Sequence, residues 1–402
     1  MPTELDRRID HMIGAVTGPG GPIQIAKDEQ GRAIVANLPP TLPMLFDVFC
    51  GLHGDAEAVV ADDERLSFKD LAAHANRLAP VLVGGFGIEK GDRVAIAMRN
   101  CPSWIISYMA VVKAGGIATL LNGWWTPSEL THALTLSEPK LVIADGPRGE
   151  RVTAAGYGGE LVTLPVDRPL DEALAPLLGR GGEGASLPQV GPDDYATILF
   201  TSGSTGNAKG ALSTHRAVTS GVYNYSMQLA VMKGVLESTG GKVPEQLRTL
   251  VNVPLFHVTG EVPVMLNSFV IKRCLVLMRK WDPGEALRLM EKERITYFVG
   301  VPTMSLELMQ HPDRDKYDLS NLTDIAAGGA ARPVDHVRRL KDSFKTAQPA
   351  IGYGLTETNA VGCGNVWSNY AEKPDSTGRP SEPMVELAIL GENGEHLPAG
   401  ER

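Results

Sequence analysis

At 402 residues the chain exceeds the usual single-domain size, so two or three units sharing large cores are expected. The net charge of −9, from 38 basic and 47 acidic residues, is spread along the chain without a basic stripe; this excludes a nucleic-acid or anionic-membrane surface and leaves small molecules as partners. Four cysteines, Cys50, Cys101, Cys274 and Cys363, lie far apart with no Cys-x-x-Cys pair, which argues against a zinc site or disulfide framework and for reduced thiols in a cytoplasmic protein.

Residues 1–14 are charged and lack the apolar core of a signal peptide. Residues 17–42, with two Gly/Pro clusters, read as an irregular lead-in along the surface until Pro43 opens a helix. A strand begins at Ala58, and Ser67 caps a helix running to about residue 82. Turn and strand over 91–97, helix over 102–113, strand over 117–121, helix over 127–136 and strand over 141–144 follow. Lys113 and Gly115-Gly116 split the apolar stretch 104–125 into a buried helix, turn and strand, so no stable membrane insertion is expected. The Gly/Pro-rich stretch 176–194 reads as a flexible connector, with a subdomain boundary near 190.

Next comes TILFTSGSTGNAKGALST, residues 197–214: an apolar strand, a loop of Gly, Ser and Thr, and one lysine. Gly203 and Gly206 let backbone N–H groups converge on an anion, Thr201, Ser202, Ser204 and Thr205 offer hydroxyls, and Lys209 adds positive charge. That is a polyphosphate cradle. Because Gly210 follows Lys209, where a Walker A loop needs Ser or Thr, the ordinary P-loop assignment fails. Beyond it, 215–232 reads as a helix, 234–248 as a polar surface excursion and 250–254 as a strand leading into Phe256-His257. On spacing alone His257 is a packed core histidine. Strand–helix alternation resumes over 275–299, with Asp282-Pro283 as a helix start; Val301-Pro302-Thr303-Met304 follows a strand, and 324–327 ends at Gly328-Gly329-Ala330, small enough to admit a flat ring or acyl chain. A loop over 375–380 and a hairpin turning at Asn393-Gly394 close the sequence.

The run Thr201 to Gly206 with Lys209-Gly210, followed in the right order by Gly352-Tyr353-Gly354-Leu355-Thr356-Glu357-Thr358, strongly resembles the adenylate-forming (AMP-binding) enzymes, most like fatty-acyl and aryl-CoA synthetases. Ala208 departs from the proline common there. The resemblance extends from about Met44 onward and implies an α/β fold: two mostly parallel sheets flanked by helices in stacked αβαβα layers, with the start of a small β-rich subdomain. Residues 1–42 would be the lead-in, 43–190 a first α/β subdomain, 191–370 a second carrying the phosphate loop, and 371–402 the incomplete β-rich part. The family's ribose-gripping aspartate and C-terminal lobe with its catalytic lysine find no counterpart, so the chain matches the large N-terminal lobe only and slow or absent turnover is expected of it.

By the same resemblance Thr356 contacts the α-phosphate, Glu357 holds Mg²⁺, Tyr353 packs on adenine with Gly352 and Gly354, and Gly328, Gly329 and Ala330 form another wall. His257 gates the carboxylate pocket, and Lys209 serves the phosphates. Val258, Glu261, Val264, Met265, Val301 and Met304 are expected along an acyl pocket. The first four are largely apolar and carry no basic or paired acidic group for an amino-acid ammonium, which favours a fatty or aryl acid over an amino-acid-activating adenylation domain. The implied substrates and cofactors are a small carboxylic acid, ATP, Mg²⁺ and CoA, with acyl-AMP, pyrophosphate and then an acyl-CoA thioester formed; a homodimer is compatible. A catalytically silent nucleotide- or acyl-binding module is the other reading.

Overall fold

The computed structural model describes residues 2–201, 208–398 and 400–401. The expected phosphate-binding residues Ser202, Gly203, Ser204, Thr205 and Gly206 lie outside the described residues. Helix α1 (Glu4–Thr17) starts on a reciprocal cap, the Thr3 hydroxyl accepting the Asp6 N–H at 3.0 Å while the Asp6 carboxylate accepts the Thr3 N–H at 2.8 Å. A short antiparallel hairpin follows, β1 (Ile25–Lys27) and β2 (Ala33–Val35). The lead-in is therefore not wholly irregular. Helix α1 is held by a contact far along the chain: Ile9 and Val16 pack on Met227, Val231 and Val235.

Helix α2 (Leu42–His53) begins one residue before Pro43, which sits in its first turn, with Thr41 as its cap. Strands β3 (Glu57–Ala61) and β4 (Glu64–Ser67) pair antiparallel before α3 (Phe68–Phe86), which Ser67 and Asp70 cap reciprocally and which continues past the predicted end. Alternation then runs through β5 (Arg93–Ala97), α4 (Pro102–Lys113), β6 (Ile117–Leu120), α5 (Pro127–Ser137), β7 (Leu141–Asp145), α6 (Gly146–Ala154), β8 (Glu160–Leu164), α7 (Leu170–Leu178) and β9 (Tyr195–Thr201). Strand β10 (Lys209–Thr214) returns antiparallel to β9 and leads into α8 (His215–Ser238). The remainder comprises β11 (Arg248–Val251), a π-helical segment Gly260–Leu266 continuing as α9 (Asn267–Val270), β12 (Cys274–Leu277), α10 (Pro283–Lys292), β13 (Tyr297–Gly300), α11 (Pro302–Gln310), β14 (Asp324–Ala327), α12 (Val334–Ser343), β15 (Gln348–Gly354), β16 (Gly362–Val366), α13 (Trp367–Glu372) and β17 (Arg379–Pro380). Around Asn393-Gly394 the Leu397 N–H reaches the Ile389 carbonyl at 2.9 Å, a rudimentary hairpin.

Two sheets result, ordered β10-β9-β6-β5-β7-β8 and β17-β16-β15-β14-β13-β11-β12-β3-β4. All pairs are parallel except β9–β10 in the first sheet and β3–β4, β15–β16 and β16–β17 in the second. One core joins both sheets to α2, α3, α4 and α8; Leu130, Ala133 and Val152 of α5 and α6 cover the outer face of the first sheet, and Leu287, Leu308 and Leu340 of α10, α11 and α12 that of the second. The expected αβαβα layering is present. A boundary near 190 does not separate the sheets, because β9 and β10 belong to the first whereas β3 and β4 pair into the second. Nor is the stretch 176–194 simply a linker: a Cβ on Gly84 would lie 2.8 Å from the Gly182 carbonyl, so this backbone packs directly on α3.

Candidate active site

The edge hairpin of the first sheet meets the tip of β15 in the second. Register places Lys209 opposite Thr201, so both ends of the intervening loop are held by cross-strand pairing. Strand β10 packs against the 3₁₀ turn Thr356–Thr358 at the end of β15. That turn is tightly constrained. A Cβ on Gly354 would sit 2.0 Å from the Ala360 carbonyl, while Asn359 and Ala360 adopt positive φ of 52° and 64°. Anchors from outside fix it: the Tyr225 hydroxyl donates to the Ala360 carbonyl at 2.5 Å, and the Ser213 hydroxyl donates to Asn359 Oδ1 at 3.3 Å.

The junction opens into a cleft of about 1,800 Å³ lined by Thr201, Lys209, Gly328, Gly329, Gly352, Gly354, Thr356 and Glu357, and further along by His257, Val258, Val301 and Met304. Lys209 and Glu357 are both exposed to it, and neither makes an ion pair among the described residues. A solvated cation and a lone carboxylate at one mouth suit a polyphosphate and a divalent ion held chiefly by phosphate oxygens and water. Ala330 and Tyr353 lie off the cleft wall, the latter 51 % exposed. Glu261, Val264 and Met265 are not on it either: the π-helical segment turns them into the core, fully buried, and presents Pro263 and Asn267 to the cavity instead.

Glu261 there accepts a 2.7 Å hydrogen bond from the Tyr108 hydroxyl, and burial pushes its carboxyl up to about 7. His257 stands at the mouth beside Phe256 and Trp124, with ring centroids 4.8 and 6.1 Å away; this apolar wall holds its pKa below the ordinary imidazole value by desolvation. Trp124 itself is 65 % exposed. It reaches Phe256 edge-on at 5.3 Å from a loop whose Gly123 lies against the Arg148 side chain, where a Cβ would meet Nε at 2.7 Å.

Sequence reasoning missed Trp124 and also Asn100. The Asn100 amide donates to the carbonyls of Val251 and Val253 at 3.3 and 2.9 Å and accepts the Leu255 N–H at 3.0 Å. A loop of the first sheet thus positions the segment carrying His257 in the second. Two adjacent tryptophans directly after a strand were the available signal for Trp124; a single asparagine after β5 offers none.

The AMP-binding enzyme family matches residues 46–402. Among relatives, a long-chain-fatty-acid–CoA ligase from Bacillus subtilis (strain 168) is 30% identical over 386 residues, covering 86% of this chain and 66% of that protein. A feruloyl-CoA synthase from an Amycolatopsis species is 33% identical over 347 residues, covering 86% and 65%. The chain therefore spans about two thirds of the length of these curated relatives. In fold it resembles the N-terminal domain of FACL13 from Mycobacterium tuberculosis, with a TM-score of 0.77 at 24% identity over 89% of this chain and 86% of that one. Apo MatB from Rhodopseudomonas palustris gives 0.75 at 27% identity over 90% and 68%.

Proposed function

Because the chain belongs to the AMP-binding enzyme family, we propose that it serves ATP-dependent activation of a fatty or aryl carboxylic acid, giving an acyl-adenylate and pyrophosphate and then an acyl-CoA thioester. One observation carries this reading: Lys209, Thr356, Glu357 and His257 come from different segments of two sheets yet line a single cleft, which continues into apolar walls at Val258, Val301 and Met304. The relatives, a long-chain-fatty-acid–CoA ligase and a feruloyl-CoA synthase, agree with it.

In the first half-reaction a carboxylate oxygen bonds to the α-phosphorus of ATP as the bond to pyrophosphate breaks. Two anions must approach, so positive charge and donors are required where negative charge gathers. Lys209 supplies the cation and the Thr356 hydroxyl a donor toward the α-phosphate. Glu357, free of any ion pair among the described residues, would hold Mg²⁺, which when bound neutralises phosphate charge. His257, kept neutral by its aromatic neighbours, borders the route of the acid. In the second half-reaction the CoA thiol attacks the acyl carbon and AMP leaves. Glu261, the acidic residue expected along the acyl pocket, faces the core and offers nothing to an amino-acid ammonium in the cleft. No helix among the described residues is long and apolar enough to cross a membrane, and the four buried cysteines accord with a cytoplasmic enzyme.

Acid-dependent pyrophosphate exchange, measured on a version that carries the family's C-terminal lobe with its lysine and read together with the ATP affinity of this chain, tests the proposal. Lys209→Ala and Glu357→Gln are each expected to lower exchange by about 10²–10³-fold, as losing one charge-stabilising group does, and to weaken ATP binding. Unchanged ATP affinity in both variants would refute the site. ATP binding with no exchange for any acid would favour the silent module.

A further inference from the structure

Beyond the mouth, the cleft runs along the face of the second sheet made by alternate residues of β13, β14 and β15. Val299, Ala326 and Ala350 make its middle apolar, but at the amino ends of the strands it passes Tyr297, Asp324 and Gln348 before opening past Thr346, Lys242 and Glu245. Across from them stand Asn267 of α9 and Arg273, just ahead of β12. The far end of an otherwise apolar passage is therefore polar.

Arg273 is only 4 % exposed and has no carboxylate partner among the described residues. Its Nε donates to Ser268 Oγ at 2.8 Å, and its Nη2 to the carbonyls of Pro263 and Val264 at 2.6 and 3.0 Å. That leaves Nη1 without an acceptor among the described residues. The guanidinium lies 5.1 Å from the centroid of the Tyr297 ring, whose hydroxyl also has no partner there. Asp324 does not answer them, because its oxygens take the Trp367 indole N–H at 3.0 Å and the Thr323 hydroxyl at 2.8 Å. Burial lowers the Arg273 pKa to about 10, yet the group stays charged at neutral pH. A buried cation with unused donors is costly in an apolar passage unless an acceptor arrives with the ligand.

We infer that this chamber selects a carboxylic acid whose far end carries a carbonyl-type oxygen, a ketone or a second carboxylate, received by Arg273 Nη1 and the Tyr297 hydroxyl. The inference rests on the acid-activating reading and narrows its substrate. Three strand steps lead from Tyr297 to Gly300 at the mouth end, about 10 Å; an extended alkyl chain advancing about 1.25 Å per C–C bond spans it in about eight bonds. A plain alkyl tail of that length would reach the same place and offer neither donor an acceptor.

The probes are octanoic acid, 7-oxooctanoic acid and octanedioic acid, titrated calorimetrically into this chain with a non-hydrolysable ATP analogue present. At least one oxygenated acid should bind about tenfold or more tighter than octanoic acid, the discrimination expected where a site hydrogen-bonds a group the analogue lacks; which of the two leads distinguishes ketone from carboxylate. Tyr297→Phe removes only an unpartnered hydroxyl, so it should narrow the preference by about threefold or more, with Tm recording any change in fold. Arg273→Leu should abolish the preference, with Tm recording any loss of fold. Octanoic acid binding as well as or better than both others, or a preference untouched by Tyr297→Phe, would overturn the inference alone. Failure of all three acids to bind beside a bound nucleotide would overturn the acid-activating reading with it.

Discussion

Glu261 shows how one buried group records its surroundings in a stability profile. Its carboxyl is pushed up from 4.5 to about 7 in the folded chain, so folding favours the protonated form. The sign follows: the contribution is fully present below about pH 4.5, declines as the unfolded carboxyl ionises first, and is lost once pH passes about 7. Glu261→Gln, which still accepts from Tyr108, should flatten the Tm profile across this window and stabilise the chain at pH 8 by up to roughly 3 kcal/mol. A parallel profile for the two proteins would contradict this origin. From sequence, Glu261 is an acyl-pocket residue because it follows His257 closely; the π-helical turn, which rotates it away from the cavity, leaves no mark in composition. Lys209, Thr356 and Glu357 were legible because their chemistry lies in short contiguous motifs. Arg273 was not, since its isolation from acids exists only in three dimensions.

At the scale of elements, strand–helix alternation was readable wherever an apolar run was punctuated by Gly or Pro, as over β5, α4 and β6. Strand β10 escaped notice because its residues KGALST are mostly polar and small; cross-strand pairing with β9, not its own pattern, makes it a strand. Helix α1 escaped for the opposite reason. Its apolar stripe is real, but its partner on α8 lies over 200 residues away in sequence. Ile9, 5 % exposed, anchors that contact, so Ile9→Ala should cost about 2–4 kcal/mol in urea unfolding. If α1 merely rests on the surface, the loss will stay within a few tenths.

At the scale of the whole molecule, the two sheets exchange strands across the chain midpoint, and Asn100 ties a loop of one to the exit of β11 in the other. Neither half of the sequence holds a complete sheet. Fragments 1–190 and 191–402, produced separately, are expected to lack cooperative thermal unfolding and dispersed NMR spectra, and to regain them only on mixing or co-expression. A cooperative melt from either alone would show that the halves are independent folding units.

The pairing of β3 with β12, Val59 beside Leu275, also sets an order for synthesis. As the chain leaves the ribosome, β3 and β4 exist as a two-stranded ribbon with one edge bare until β12, more than 200 residues further on, has been made. A ribbon of two strands is marginal by itself. The nascent chain thus carries an unsatisfied apolar edge for much of its translation, which makes this edge the natural point of engagement for a chaperone and the weak point for aggregation when translation outpaces capture.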